Sequence, residues 1–258
     1  MRPMKNKPIA VFDSGLGGIS VLRELLRQMP GENFLYFGDS ANAPYGSRST
    51  EDIRTLTEQH AQNLFDRGAK ALVIACNTAT SAAVRELREK HPGRIIIGIE
   101  PALKPAADAF PGGTLLVMAT DATLREEKFD SLMMKFRGQC RIIKCPCPGL
   151  VEFVERGELE SSALHDRLLE IFAPYSKEVI DAVVLGCTHY PFLKKAIRRS
   201  LGEKPLLFDG ADGTAKETRR RLAEAGLLRT DGPASVQLEN SLPSPEILSL
   251  GQMLLQLP

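Results

Sequence analysis

The sequence carries almost no excess charge: 33 lysines and arginines stand against 32 aspartates and glutamates, a formal net charge of +1. A nucleic-acid binder needs a basic stripe, so this balance removes the electrostatic case for one, and no nucleic-acid partner is expected. Cysteine is sparse, five in 258 residues. An odd, thin set of that kind does not build the disulfide framework of a secreted domain; it reads as free thiols in a reducing compartment. Long apolar runs are missing as well. No window approaches the roughly 20 residues that span a bilayer, and the run at 9–12, behind Arg2, Lys5 and Lys7, is too short for a signal-peptide core. A cytoplasmic location with no membrane partner is expected. What is present is ordinary for a globular chain, 43% hydrophobic and 25% charged residues, at a length where single cores begin to split into two domains. The open matter is what the thiols do.

Periodicity divides the chain into short apolar runs and longer helical patterns. Runs at 9–12, 33–37, 71–75 and 94–99 alternate with amphipathic stretches at 19–28, 50–67 and 77–90. The second of these opens with acidic residues and stops at Gly68, as helices do. The second half repeats the rhythm, with strands at 113–118, 141–145, 182–185 and 206–208. Helical patterns lie at 120–136, from 150, from 161, from 191 and over 214–225. The β-α-β-α order predicts an α/β protein with mainly parallel sheets. The segment after Gly226, rich in Leu, Pro and Ser, is assigned no element.

Two stretches resemble each other: Ala71-Leu72-Val73-Ile74-Ala75-Cys76-Asn77-Thr78 and Ala182-Val183-Val184-Leu185-Gly186-Cys187-Thr188-His189. Each is an apolar strand, a small residue, a cysteine, then polar residues opening a helix. The two cysteines stand close to half a chain apart. This predicts two similar α/β domains facing each other, residues 1–98 plus 208–258 and residues 99–207, each with a thiol at a strand's carboxyl end. Ligands of open α/β sheets bind at those ends, and Asp13-Ser14 and Asp39-Ser40 close two further strands. A cysteine before a helix lies in the positive field of its N-terminus, which favours thiolate over thiol. From a free value of about 8.5, a modest shift brings that form within reach near neutral pH. One such thiol suggests a nucleophile. Two in mirrored positions suggest proton transfer on opposite faces of one carbon. Inverting an amino acid's α-carbon needs a base on one side and an acid on the other, and the reverse direction exchanges their roles. Amides and hydroxyls at helix N-termini would hold the carboxylate and take up the carbanion's charge.

Four motifs together, Asp13-Ser14-Gly15-Leu16-Gly17-Gly18, Asp39-Ser40-Ala41-Asn42-Ala43-Pro44-Tyr45-Gly46, Cys76-Asn77-Thr78-Ala79-Thr80 and Gly186-Cys187-Thr188-His189-Tyr190-Pro191, resemble the aspartate/glutamate racemase family in order and spacing. The resemblance runs over about residues 9–222. It implies two α/β domains with the active site in the cleft between them. It further implies interconversion of L- and D-glutamate without a pyridoxal or other cofactor, a supply of D-glutamate for peptidoglycan, and a homodimer. It makes Cys76 and Cys187 the two acid/bases, pairs Cys76 with Asp13 and Cys187 with His189, and adds a glutamate near the second cysteine, placed at Glu152 in Leu150-Val151-Glu152. Substrate contacts are implied at Asp13, Ser14, Pro44, Tyr45, Gly46, Asn77, Thr78, Thr188 and His189. Thr120 and Thr123 stand for the family's second-domain threonines, although Ala119-Thr120-Asp121-Ala122-Thr123 departs from the commoner glycine-containing form. Aspartate or another acidic amino acid is the nearest alternative substrate, and Cys-Thr-His favours glutamate only through the resemblance. A two-lobed amino-acid-binding protein without chemistry is the alternative from another class, and it has no need of paired thiols. Some members of the family carry a long N-terminal extension; none is expected here, nor regulation through one.

The remaining chemistry-bearing residues read more plainly. Cys140, Cys145 and Cys147 are closely spaced, but a structural zinc site takes four ligands and no histidine lies between them. Packing is expected there, and no metal. Gly15-Leu16-Gly17-Gly18 imitates a dinucleotide-binding turn, yet Ser20 stands where the third glycine would fall, so a tight strand-to-helix turn is the reading. His60, His91 and His165 sit in polar contexts and are expected in solvent. Asp209 reads as a helix cap.

Overall fold

Apolar runs too short for helices leave strands as the most buried segments, and these set the architecture. The computed structural model describes residues 4–257. Among them the strands are β1 (Ile9–Asp13), β2 (Asn33–Gly38), β3 (Ala71–Ile74), β4 (Ile95–Gly98), β5 (Thr114–Ala119), β6 (Arg141–Pro146), β7 (Ala182–Leu185), β8 (Leu206–Asp209) and β9 (Ser235–Asn240). The helices are α1 (Ile19–Gln28), α2 (Thr50–Asp66), α3 (Asn77–Lys90), α4 (Leu103–Ala109), α5 (Asp121–Arg125), α6 (Glu127–Met134), α7 (Leu150–Glu155), α8 (Ser162–Phe172), α9 (Lys194–Leu201), α10 (Ala211–Glu224) and α11 (Pro245–Gln256). The strands form two sheets, β4-β3-β1-β2-β9 and β6-β5-β7-β8, and every pairing is parallel. β1, β3 and β7 are buried at every residue, the unbroken apolar pattern of parallel strands covered on both faces. This is the two-sheet α/β arrangement read from the sequence.

Several boundaries differ from that reading, each for a local reason. Val184 pairs with Phe208 and Leu185 with Asp209, so the end of β8 belongs to the second sheet and the chain crosses back only at Gly210. The crossing is tight: a Cβ on Gly210 would overlap the Glu100 carbonyl oxygen and lie 2.9 Å from Ile99 Cγ1, so the outgoing and returning segments touch at a glycine. The helical pattern at 120–136 splits because Glu126 is extended, with ψ 131°, between α5 and α6. Thr120 starts the first piece by accepting from Thr123 N at 3.3 Å.

The segment after Gly226 supplies β9, paired along β2, and α11, packed on α1. Its strand is an edge strand with no fully buried residue, so it lacks the apolar run that marks the central strands. A buried ion pair fixes its approach. Lys70 Nζ, 2.6 Å from Glu32 Oε2, also donates to the Leu227 carbonyl, and Glu32 Oε1 accepts from Arg229 N. No helix among the described residues is long and apolar enough to cross a membrane.

Candidate active site

The carboxyl ends of the two sheets meet at one seam. From the first, β1 ends at Asp13, and neighbouring β3 leads through Ala75 to Cys76. Cys76 caps α3, its Sγ accepting from Ala79 N at 3.4 Å, and Ser14 Oγ lies 3.4 Å from the same sulfur. Asp13 is fully buried. Its Oδ1 accepts from Gly15 N and its Oδ2 from Thr188 Oγ1 across the seam, both at 3.1 Å. Gly18 makes room for it, since a Cβ there would lie 2.6 Å from Asp13 Cβ.

The helix position favours a thiolate at Cys76, and burial works against it. Burial first, and then the Asp13 carboxylate, push the thiol from 9.0 up to about 12, which is on the order of 4 kcal/mol. A helix end returns only about 0.3–1 kcal/mol. Cys76 therefore rests as a thiol near neutral pH. Asp13 is itself raised, chiefly by burial.

From the second sheet, β7 leads through Gly186 to Cys187. The chain does not enter an α-helix at Pro191 as the pattern suggested; a 3-10 turn, Tyr190–Leu193, precedes α9. Cys187 is therefore no helix cap, and its partner is a side chain. His189 Nδ1 lies 3.6 Å from Cys187 Sγ, and His189 Nε2 lies 2.7 Å from Glu155 Oε1. Glu155 also reaches the first lobe, accepting from Leu16 N at 2.6 Å and Ser40 Oγ at 3.4 Å. Burial alone would lower the pKa of His189, but the hydrogen bonds and charges of Cys187 and Glu155 together raise it well above the ordinary range. Glu155 moves the other way: burial raises it, while His189, the Leu16 amide and Ser40 outweigh burial and lower it. The opposite shifts favour an imidazolium beside a carboxylate.

The glutamate placed at Glu152 from the sequence is corrected by this geometry. Glu152 is exposed, and the carboxylate at the seam is Glu155. On α7, Leu150, Val151 and Val154 face inward, and Val151 lines the cavity between the thiols. Glu155 comes one turn after Val151 on the same face, whereas Glu152 is rotated about 100° from it. The glycines of the first turn serve the same contacts. A Cβ on Gly15 would overlap Glu155 Oε1, and one on Gly17 would overlap His189 Nδ1 and lie 2.6 Å from Thr188 Oγ1.

The cavity measures about 20 Å³, room for about one water molecule. Ser14, Cys76, Asn77 and Thr78 line it from the strand ends of the first lobe, and Pro44, Tyr45 and Gly46 from the loop after β2. Thr120, Val151, Cys187, Thr188 and His189 line it from the second lobe. Asp13 and Thr123 stand one contact behind: Asp13 holds Thr188, and Thr123 Oγ1 lies 3.0 Å from the hydroxyls of both Thr78 and Thr120. Of the residues nominated from the sequence, only Glu152 falls outside this cluster. Asn77 Oδ1 is buried without a hydrogen-bond partner, an acceptor left for a ligand's donor.

Contacts across the seam hold the lobes together. Besides Asp13–Thr188 and Glu155–Leu16, Ser20 Oγ donates to the Thr188 carbonyl at 2.8 Å and Thr50 Oγ1 to Glu126 Oε1 at 2.9 Å. Gly46 rests on Thr120, where a Cβ would meet Thr120 Cβ at 3.0 Å. Gly46→Ala is expected to hold the seam slightly open and raise KM roughly three- to tenfold with a smaller effect on kcat, read from steady-state kinetics.

Sequence reasoning missed three side chains here. Glu155 carried the same signal as Glu152, and only the identity of the cavity-lining apolar residue separates them. Asp39 was seen as a strand end but given no partner. His60, expected in solvent, is mostly covered and lies 3.0 Å from Asp39 Oδ2. Among the described residues no group of three or more His, Cys, Asp or Glu is arranged to hold a metal ion. Cys145 and Cys147, with sulfurs 3.8 Å apart, are packed in the core.

The family model described as Asp/Glu/Hydantoin racemase matches residues 11–218. The chain is 48% identical over 255 residues to a glutamate racemase of Clostridium perfringens, covering 98% of each chain. It is similar to the crystal structure of the Francisella tularensis glutamate racemase in complex with D-glutamate, with a TM-score of 0.86 and 30% identity over 98% of this chain and 95% of that one. It is also similar to the Escherichia coli glutamate racemase in complex with L-glutamate and the activator UDP-MurNAc-Ala, with a TM-score of 0.83 and 29% identity over 96% of this chain and 95% of that one.

Proposed function

Because the chain belongs to the Asp/Glu/hydantoin racemase family, we propose that it interconverts L- and D-glutamate by proton transfer between two cysteines, supplying D-glutamate for peptidoglycan. The observation that carries this reading is that Cys76 and Cys187 face one cavity from opposite sheets.

Glutamate enters with the lobes apart, the division running through the crossings near Gly98 and Gly210, and is enclosed as they close. Its ammonium finds Asn77 Oδ1, and its carboxylates find the hydroxyls of Ser14, Thr78, Thr120 and Thr188, the last held in place by Asp13. These donors take up charge as the α-carbon becomes a carbanion. In one direction Cys187, as thiolate beside the His189 imidazolium, removes the α-proton, and the Cys76 thiol delivers a proton to the opposite face. Cys187 then holds the proton and Cys76 is the thiolate, which is the starting state for the reverse direction. The two thiols exchange one proton through the carbon, so no group is consumed.

The proposal includes action in the cytoplasm as a homodimer; light scattering on the purified chain tests the assembly. The activity is tested by incubating either enantiomer with the enzyme in deuterium oxide and no added cofactor. Racemisation with α-deuterium incorporation from both enantiomers is expected, and absence of both overturns the reading. Aspartate run in parallel decides the substrate: turnover equal to or faster than that of glutamate moves the assignment to aspartate. Binding without exchange makes the chain a binding protein.

A further inference from the structure

The mechanism uses the loop after β2 as a wall of the cavity but does not say what fixes that wall. The loop is tied to a carboxylate that never reaches the substrate. Asp39 follows β2, is fully buried and does not line the cavity. Its Oδ2 accepts from Tyr45 OH at 2.7 Å and lies 3.0 Å from His60 Nε2, while Asn42 Nδ2 stands 3.1 Å from each of its oxygens. Both hydrogen-bond donors, Tyr45 and Asn42, come from the loop itself, while His60 Nε2, from α2, stands at ion-pair distance and is buried without a hydrogen-bond partner. Burial raises Asp39, but these hydrogen bonds and one from Ser241 outweigh it and hold the carboxyl below its ordinary range. His60 is 21% exposed, and its ring lies 5.3 Å from that of Phe12 and 4.9 Å from that of Phe37. Arg48 closes the loop from its far side, donating from Nε to the Asn42 carbonyl at 2.6 Å.

We propose that Asp39 and His60 are positioning residues for the substrate wall: the Asp39 carboxylate, with His60 Nε2 packed against it at 3.0 Å, holds the Tyr45 hydroxyl and Asn42 and thereby sets Pro44, Tyr45 and Gly46 at the depth that fits glutamate. This rests on the racemase reading above. It assigns Tyr45 a role through its place in the wall, because its hydroxyl is already committed to Asp39. A buried carboxylate with well-placed donors fixes a loop more sharply than apolar packing, since misalignment leaves a charge unpaired.

The polar nitrogen and the ring of His60 are separable. His60→Phe keeps a flat ring between Phe12 and Phe37 and removes the polar nitrogen beside Asp39; His60→Gln keeps a polar nitrogen at similar reach and removes the ring. His60→Phe and Tyr45→Phe are expected to raise KM for both enantiomers about tenfold with kcat within about twofold, and His60→Gln to stay within about threefold of the native KM. Native KM in His60→Phe, equal impairment in His60→Gln and His60→Phe, or a fall in kcat at unchanged KM overturns the proposal. Should His60→Phe fail to fold, Tyr45→Phe carries the test through the loss of one hydroxyl, and a native KM there overturns it. A native chain that does not racemise glutamate overturns the racemase reading instead, so the two failures are distinct.

Discussion

Cys76→Ala and Cys187→Ala are each expected to lower racemisation by about 10³-fold or more, because each removes the only proton-transfer group on its face of the α-carbon. The two losses differ in kind. With Cys76 pushed up to about 12, that side of the cavity holds an acid. Cys76→Ala keeps the base. It is expected to exchange the α-hydrogen of one enantiomer with deuterium and return it to the same face, giving exchange without inversion. Cys187→Ala leaves only the Cys76 thiol, whose thiolate is disfavoured by burial, and exchange is expected to be slower still. Proton NMR of each enantiomer in deuterium oxide reads both effects. Full racemisation in either variant sinks the two-thiol mechanism, and exchange of both enantiomers by a single variant sinks the assignment of one thiol to each face.

Glu155→Gln is expected to lower kcat about a hundredfold, and Glu152→Gln to leave it within about twofold. The first carboxylate is the partner that holds His189 protonated; the second lies outside the cavity cluster. Removing the Glu155 charge takes away one of the two partners that raise His189 and leaves Cys187 alone against burial, so the imidazole holds its proton less firmly. Glu155→Gln is therefore expected to gain activity relative to the native enzyme as pH falls. The stability effect has a matching sign. Because His189 is raised, its share is present below the ordinary histidine range and is lost as pH rises through its raised folded value. Because Glu155 is lowered, its share is present above the ordinary glutamate range and is lost as pH falls through its lowered folded value. A pH–rate profile of the two glutamine variants beside the native enzyme is the measurement. Equal losses in both variants, or none in Glu155→Gln, refute the assignment.

The parts legible in the sequence were those with a strong local pattern. The central strands β1, β3 and β7 are buried throughout, so their apolar runs announce them, and the polar residues that follow mark the carboxyl ends where the cavity lies. What resisted reading depended on packing between distant segments. Glu152 and Glu155 sit on one short helix, and only the contact of α7 with the seam separates them. The protonation of Cys76 follows from burial and from Asp13 across neighbouring strands, while the helix position visible in the sequence contributes the smaller share. His60 lies in a polar stretch of α2 that points to solvent, yet its ring meets Phe12 and Phe37 from two other strands. The edge strand β9 has no buried residue to give it a period.

That edge strand bears on the order of synthesis. Every residue lining the cavity lies at or before His189, and the second sheet is complete at Asp209. The first sheet waits for Ser235–Asn240 to lie along β2. At roughly 5–20 residues per second, a ribosome therefore finishes the lobe encoded in the middle of the chain before the lobe it began with. Until the last strand emerges, β2 presents an open edge just ahead of Asp39 and the loop it anchors. The half that starts the protein is the half completed last, and the substrate wall is built on the strand that waits.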